Sequence, residues 1–439
     1  MRTLTPKDGY AIMTALARQA TGQADISVVD MSGFISAGET VLRTGAENVF
    51  NALGVVIGRT FVATRPYKNR LNILNAIGTD GYTNRMRKIS FYSKDALASG
   101  FFNTDLFTNL ADGFTNGQNE SSGTPQSTKS QWEQHQAMPL EMNFAGSTVW
   151  DDCITMYEEQ IRAAFRDPVE LAQFVAGMIQ EHGNDIESQK EAFNRMTLLS
   201  RMLMSYVYGV NNMAQTAINL TTAFNTYYGT NYTSVQLRTT YLKEFLSFMV
   251  AKVKEISDHM TERSTLYHLP MTKTVNSTAY SILRHTPYDR QRILLFSPLY
   301  RMAEATVLPE IFRPEYLDIK SQFEPVEFWQ NNLTDANRPK IKGAGAYYNP
   351  SNGYTESTGN LTLDYVVGCV YDVDSVMVDY QLERTLTTPV EARKGYRNTW
   401  LHMSKNAITD PTENFVLLYM DDSGVTPAPE AADNAEVTG

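Results

Sequence analysis

Along the chain the spacing of apolar side chains changes period several times, and each change marks an element. The most regular helical stretch is Asp185 to Tyr208, where Phe193, Met196, Leu199, Leu203 and Val207 recur at helical spacing with no Gly or Pro between them. Asn184 at its head, with Glu187 three places on, reads as an approximate capping box, and Gly209 reads as its stop. At 1.5 Å per residue this helix spans about 36 Å, so it is read as a spine against which the rest packs. A second helix is expected from Val235 to Met260, with Leu237, Tyr241, Phe245, Phe248, Met249, Val253 and Ile256 on one face. Thr5-Pro6 opens a short helix to Ala20 whose apolar face holds Ile12, Met13, Leu16 and Ala17, and Asp167-Pro168 opens another that leads into the spine.

A period of two appears in a pair of segments. Met86 to Tyr92 sets Ile89 and Phe91 against Lys88 and Ser90, and Met138 to Phe144 sets Met138, Leu140, Met142 and Phe144 against Pro139, Glu141 and Asn143. Pro139 marks an edge strand, because it cannot donate to a ladder. Between the two lies Asn109 to Ser130, whose Gly, Asn, Ser and Thr predict a mobile loop. The expectation is an extended two-stranded finger, which is marginal alone in water and asks for a partner surface. Further strands are expected from Asp151 to about Arg166, over Arg292 to Phe296, Leu361 to Tyr371 and Ser375 to Leu382, and over Phe415 to Met420. Prolines 309, 314 and 325 break Leu308 to Trp329 into short pieces. Asn331 to Gly359 reads as loop-rich and Thr388 to Asn406 as mixed. Gln23 to Arg59 places Val28, Val29, Phe34 and Ile35 among glycines 33, 38, 45, 54 and 58, so it reads as an arm that gains its order from a neighbour. Asp421 to Gly439 reads as a disordered acidic tail.

Composition narrows the class. Of 439 residues 42% are hydrophobic, enough for a large core, and Lys plus Arg at 38 against Asp plus Glu at 48 gives a net charge of −10. That balance argues against a dedicated nucleic-acid binder. No run of 18 apolar residues and no basic-then-apolar leader is present, so neither a transmembrane helix nor a signal peptide is expected. Cys153 and Cys369 are too few for a disulfide framework, which fits synthesis in a reducing cytoplasm. Against the acidic background, Arg59 to Arg70 is basic, as is the cluster Arg85, Arg87 and Lys88. Either would meet phosphate or the acidic surface of a neighbouring copy, and the net charge favours the copy.

Candidate chemistry is sparse. Gly343-Ala-Gly345 starts like a dinucleotide loop but lacks the third glycine. Asp372-Val-Asp374 has the carboxylates for a divalent metal, but reads better as an acidic turn between strands. The six histidines show no ligand spacing, and the two cysteines read as buried small hydrophobes rather than nucleophiles. The expectation is no catalytic residues, no cofactor, no metal and no enzyme.

The order of these parts resembles the major capsid protein of tailed bacteriophages, the fold named after phage Hong Kong 97. Local stretches carry the resemblance too: Asp80 to Phe91 with Gln131-Trp132-Glu133 and Pro139 to Trp150, then Tyr316 to Trp329, Leu363 to Asp374, and Pro389 to Leu418 with Arg393-Lys394-Gly395-Tyr396-Arg397-Asn398-Thr399-Trp400. The resemblance implies an α+β fold with an N-terminal arm (1–59), an extended two-stranded loop (60–147), a peripheral domain with the spine helix (148–225 and 365–420), an axial domain (226–364) and the acidic tail (421–439). It implies a chain that self-assembles as hexamers and pentamers into an icosahedral head shell around double-stranded DNA without reading its sequence. Scaffolding, portal and decoration proteins would be further partners; the virion would be the location, and the bacterial host cytoplasm the place of assembly. No membrane partner is implied. Arg65, Lys68, Arg70, Ile89, Phe91, Leu140 and Met142 are the candidate subunit-interface residues. A non-viral cage of the same fold around protein cargo, and a cytoplasmic enzyme with scattered carboxylates, are the alternatives.

Overall fold

A computed structural model describes residues 6–22, 26–43, 75–76, 85–93, 138–145, 148–157, 168–211, 215–275, 278–306, 322–330, 337–349, 354–391 and 393–423. The basic stretch 59–70, the loop 109–130 and the tail beyond 423 lie outside them. In chain order the elements are α1 (Pro6–Thr21), α2 (Met31–Arg43), β1 (Asn75–Ala76), β2 (Arg85–Phe91), β3 (Pro139–Ala145), β4 (Thr148–Tyr157), α3 (Pro168–Val210), β5 (Ala217–Asn219), α4 (Leu220–Tyr228), α5 (Ser234–Thr239) and α6 (Leu242–Thr261). There follow β6 (Lys273–Val275), β7 (Thr278–Tyr280), β8 (Gln291–Phe296), α7 (Ser297–Thr306), β9 (Gln322–Val326), β10 (Ile341–Asn349), β11 (Tyr354–Leu363), β12 (Tyr365–Asp372), β13 (Val376–Thr387), β14 (Tyr396–Thr409) and β15 (Phe415–Met420).

Two sheets and one long helix organise the body. The five-stranded sheet has the order β5-β15-β12-β8-β9, and the four-stranded sheet the order β1-β13-β14-β4. Pro325 sits in β9 at the edge of the first, where a missing donor is tolerated. The central strands of that sheet are buried on both faces, which is why β12 and β15 read as continuous apolar runs rather than alternating ones. Phe245, Met249, Val253 and Ile256 of α6 join Ile293, Val370 and Leu417 in its core. Besides the long connection from β4 through α3 to β5, the chain crosses directly between the sheets twice. It passes from β12 to β13 through a single 3-10 turn at Val373–Ser375, and returns from β14 to β15 through 410–414. The crossings touch: Asp410 N donates to Ser375 O at 3.0 Å, and Asp372 N donates to Asn414 O at 2.9 Å.

The spine is longer than the sequence suggests. α3 opens at Pro168, runs 43 residues through Gly177 and Gly183, and continues past Gly209 to Val210. It therefore spans about 64 Å, and the expected cap at Asn184 lies inside it. Its packing explains both this and a second difference. α3 touches both sheets and β10, so from Arg201 to Ser205 every residue is buried, polar ones included. A single apolar stripe does not describe a helix wrapped on several sides: Leu203 and Val207 are buried as expected, but Met196 is 56% exposed while Thr197 and Arg201 are buried.

Other expectations change as well. Val235 to Met260 is two helices, because Tyr241 leaves helical geometry (φ −108°, ψ 33°) and stacks on Tyr232 with ring centroids 4.0 Å apart. The loop-rich region 331–359 contains most of the β10–β11 hairpin, which lies on α3; the Tyr208 hydroxyl accepts from Tyr348 N at 2.6 Å. Gly343 is part of this hairpin and not of a cofactor loop. A Cβ there would stand 2.8 Å from Leu203 Cδ1, so the glycine lets strand and helix approach. The arm is partly folded on its own subunit. Asp30 Oδ1 accepts from Gly33 N at 2.7 Å and caps α2 despite the glycines. α2 packs on α1, and α1 on α3, burying Met13, Leu16, Val28, Phe34 and Val41. The five-stranded sheet also takes strands from both stretches expected to form separate domains. β8 and β9 come from 226–364, whereas β5, β12 and β15 come from 148–225 and 365–420.

Candidate assembly surfaces

The finger forms as its alternation predicts, and its register decides which side chains face outward. β2 and β3 pair antiparallel with Lys88 opposite Met142, Ser90 opposite Leu140, Ile89 opposite Glu141 and Phe91 opposite Pro139. Directly opposed residues share a face of a ribbon. One face therefore carries Lys88, Ser90, Leu140 and Met142, all partly or fully buried. The other carries Arg87, Ile89, Phe91, Pro139, Glu141 and Asn143, all exposed. Ile89 is 51% and Phe91 60% exposed, while Arg87 Nη2 and Glu141 Oε2 pair at 2.8 Å beside them. The four apolar candidates thus do not form one surface. Ile89 and Phe91 lie on the exposed face, and Leu140 and Met142 on the opposite, partly buried face with Lys88.

The seat itself is ionic, and sequence reasoning missed it. Lys88 Nζ pairs with both Asp410 Oδ2 and Glu413 Oε1. Arg284 Nε lies 3.3 Å from the same Glu413 oxygen and donates to Thr412 O at 3.1 Å, and its Nη2 donates to Ser90 Oγ at 2.7 Å. Arg201 of α3 donates from Nε to Ser375 Oγ (3.0 Å), from Nη1 to Ser205 Oγ (2.6 Å) and from Nη2 to Glu413 O (3.2 Å), so it holds both crossings between the sheets. Beneath them His268 faces Asn414 Oδ1 at 3.1 Å and Ile282 O at 2.8 Å, while Asn414 Nδ2 donates to Thr286 Oγ1 and Thr286 Oγ1 donates to Asp372 Oδ2.

Burial sets the titration of these groups. It would lower the Lys88 ammonium, but Asp410 and Glu413 outweigh it and hold the pKa above its ordinary value. Burial raises Glu413, with Lys88 and Arg284 pulling the other way. Burial lowers Arg201 to about 10 and His268 to about 4, so the imidazole is neutral near pH 7. The basic cluster was expected to meet a neighbour's acids; Lys88 meets its own chain's. The signal available was the Asp410-Pro-Thr-Glu-Asn414 turn, which carries two carboxylates between two apolar strands.

The other singled-out residues have structural partners. Asp372-Val-Asp374 is a turn between strands, with Asp372 buried and Asp374 paired with Arg290. Cys369 is buried and its thiol is pushed up by burial. No cluster of metal-ligating side chains exists among the described residues, and none of their helices is long and apolar enough to cross a membrane. Arg65, Lys68 and Arg70 lie outside the described residues. On the arm a second exposed apolar set appears, with Val29 81% exposed and Met31 and Ile35 exposed beside it.

A family model described as Phi29-like phage major capsid protein matches residues 152–419, well over half of the chain. The chain belongs to that family. As a phage major capsid protein it is a structural, non-enzymatic component of the virion's capsid shell, with a mixed helix-and-sheet architecture. Among solved structures, this capsid protein is similar to the capsid structure of Staphylococcus phage Andhra at 11% identity, over 80% of this chain and 84% of that one, with a TM-score of 0.49. It is similar to a structure of Mycobacterium phage Cain at 8% identity, over 82% and 92%, with a TM-score of 0.41. The head structure of Helicobacter pylori bacteriophage KHP40 matches at 8% identity, over 82% and 93%, with a TM-score of 0.39. No curated protein matches the chain.

Proposed function

We propose that this capsid protein self-assembles, as hexamers and pentamers, into an icosahedral head shell that encloses double-stranded DNA. The observation that carries the reading is the finger: its inner face is pinned to its own subunit, while Ile89 and Phe91 are held outward on a ribbon that is marginal alone. Those two residues are the proposed intersubunit contact, with Arg65, Lys68 and Arg70 anchoring the base of the arm against acidic surface of a neighbour. Leu140 and Met142 are proposed to seat the finger. The peripheral unit is proposed to be α3 with the four-stranded sheet, and the axial unit the five-stranded sheet with α4 to α7. A net charge of −10 suits a container that does not grip its genome. Scaffolding, portal and decoration proteins are the further partners, and the host cytoplasm is the place of assembly.

The test is size-exclusion chromatography and electron microscopy of the expressed chain, with and without phage scaffolding components, and measurement of nucleic acid in particles from infected cells. Closed shells holding double-stranded DNA are expected. A monomer or small oligomer under every condition would sink the reading, and shells filled with protein would favour a cage.

A further inference from the structure

We propose that Thr426-Pro427-Ala428-Pro429, just past residue 423, docks on an exposed aromatic platform of its own subunit formed by Tyr227 and Tyr228. The platform stands at the end of α4, where Gly229 stops the helix with φ 65°. Tyr227 is 74% and Tyr228 50% exposed. Both rings are held from behind. Tyr228 packs on Phe224 with ring centroids 4.6 Å apart, Tyr227 lies edge-on to Tyr228 at 4.9 Å, and Phe248 of α6 meets Tyr227 at 5.8 Å. Phe224 and Phe248 belong to the buried core, so the two tyrosines are presented on a rigid base. Neither tyrosine hydroxyl has a protein partner among the described residues. Such rings offer an apolar face and a polar tip, a combination enriched at interfaces.

The occupant follows from where the chain leaves the body. Asn219, the N-cap of α4, donates from Nδ2 to Asp421 O at 3.0 Å and accepts from Asp421 N at 3.3 Å. Asp422 Oδ1 accepts from Ser234 N, at the start of α5, at 2.6 Å. The tail is thus fastened at the head of α4, and Tyr227 lies about 12 Å along the helix axis from that point. Pro427 and Pro429 fix their own φ and push Thr426 and Ala428 towards extended geometry. The sequence therefore favours a polyproline II rod, which rises about 3.1 Å per residue, so the chain from Ser423 to Pro429 covers about 18 Å and can cross the platform. Aromatic surfaces take such rods by laying the pyrrolidine rings on the aromatic faces, with a hydroxyl donating to a carbonyl, here that of Thr426 or Ala428. A pre-set rod loses little entropy on docking. The short tether also holds it at an effective concentration on the order of millimolar, which a neighbour's tail would match only at that concentration of free subunit.

The test uses the full-length, unassembled subunit with benzoylphenylalanine in place of Thr226, which is exposed beside Tyr227. Irradiating a mixture of isotopically light and heavy chains, followed by peptide mass spectrometry, should join position 226 to residues 424–429 within single chains. P427A/P429A should cut that yield at least about three-fold. Hydrogen–deuterium exchange on the unlabelled subunit gives a second reading. Ending the chain at Ser423 should speed exchange of 225–229 at least about two-fold, P427A/P429A should match it, and 366–371 should stay unchanged. These changes lie in the tail, so misfolding of the body does not imitate the result. Absence of crosslinks to the tail, or unchanged exchange at 225–229 after truncation, would overturn the proposal. Crosslinks found only between light and heavy chains would overturn it too and give the platform to a second copy. The measurement needs no shell, so it stands or falls separately from the proposed assembly.

Discussion

Leu203 and Met196 lie two turns apart on α3 and looked equivalent by spacing, but their surroundings separate them. Leu203 is 2% exposed, with β10 passing so close that Gly343 has room only for hydrogen, whereas Met196 is 56% exposed. Leu203→Ala should lower the unfolding free energy by about 2–5 kcal/mol, from lost burial and the cavity left behind. Met196→Ala should change it by less than about 0.5 kcal/mol. Denaturant unfolding of both variants checks this, and equal losses would mean that α3 presents a different face to the body.

Among elements, the finger presents an outward face on which Ile89 and Phe91 are exposed. Ile89→Lys with Phe91→Lys should cost about 1 kcal/mol or less, because both side chains are more than half exposed and the new charge at position 89 stands opposite Glu141. The same change should abolish or sharply reduce particles in light scattering and electron microscopy. Normal shells from the double variant would remove the finger's outer face from the assembly contacts. This element also shows how far the sequence could be read. Period two located both strands within a residue or so, yet alternation names two faces without saying which is inward. Ile89, Phe91, Leu140 and Met142 were grouped as one set of interface candidates; the structure leaves Ile89 and Phe91 exposed and half-buries Lys88 on the face of Leu140 and Met142, where a pair of carboxylates 322 and 325 residues further along compensates its charge. Partners so remote in sequence leave no local signal. The apolar run of β15 was read to the residue, since a strand buried on both faces needs no knowledge of which side is which. α2 was lost among glycines, although Asp30 and the spacing of Phe34, Gly38 and Val41 were there to be read.

For the whole molecule, the arm has a packed part and an exposed part that truncation would mix. α1 and α2 bury Met13, Leu16, Phe34 and Val41 on their own subunit, while Val29, Met31 and Ile35 remain in water. Deleting residues 1–35 should therefore lower the melting temperature as well as shell yield, since each fully buried side chain of this kind is worth about 1.5–3 kcal/mol. Val29→Asp with Ile35→Asp should reduce shell yield with the melting temperature unchanged. Circular dichroism melts beside light scattering separate the two. If the deletion melts like the wild type, α1 contributes nothing to the body; if the double variant assembles normally, the arm's exposed set is not a contact.

The paired crossings between the sheets bear on mechanics. A shell wall under outward pressure is stretched within its own plane, and a subunit joined across its middle by one chain would yield there first. Here two covalent strands run side by side in opposite directions, bonded to each other at 2.9 Å and 3.0 Å and riveted by one guanidinium from α3. A pull that tries to part the sheets loads both backbones at once, so the tension is shared between them.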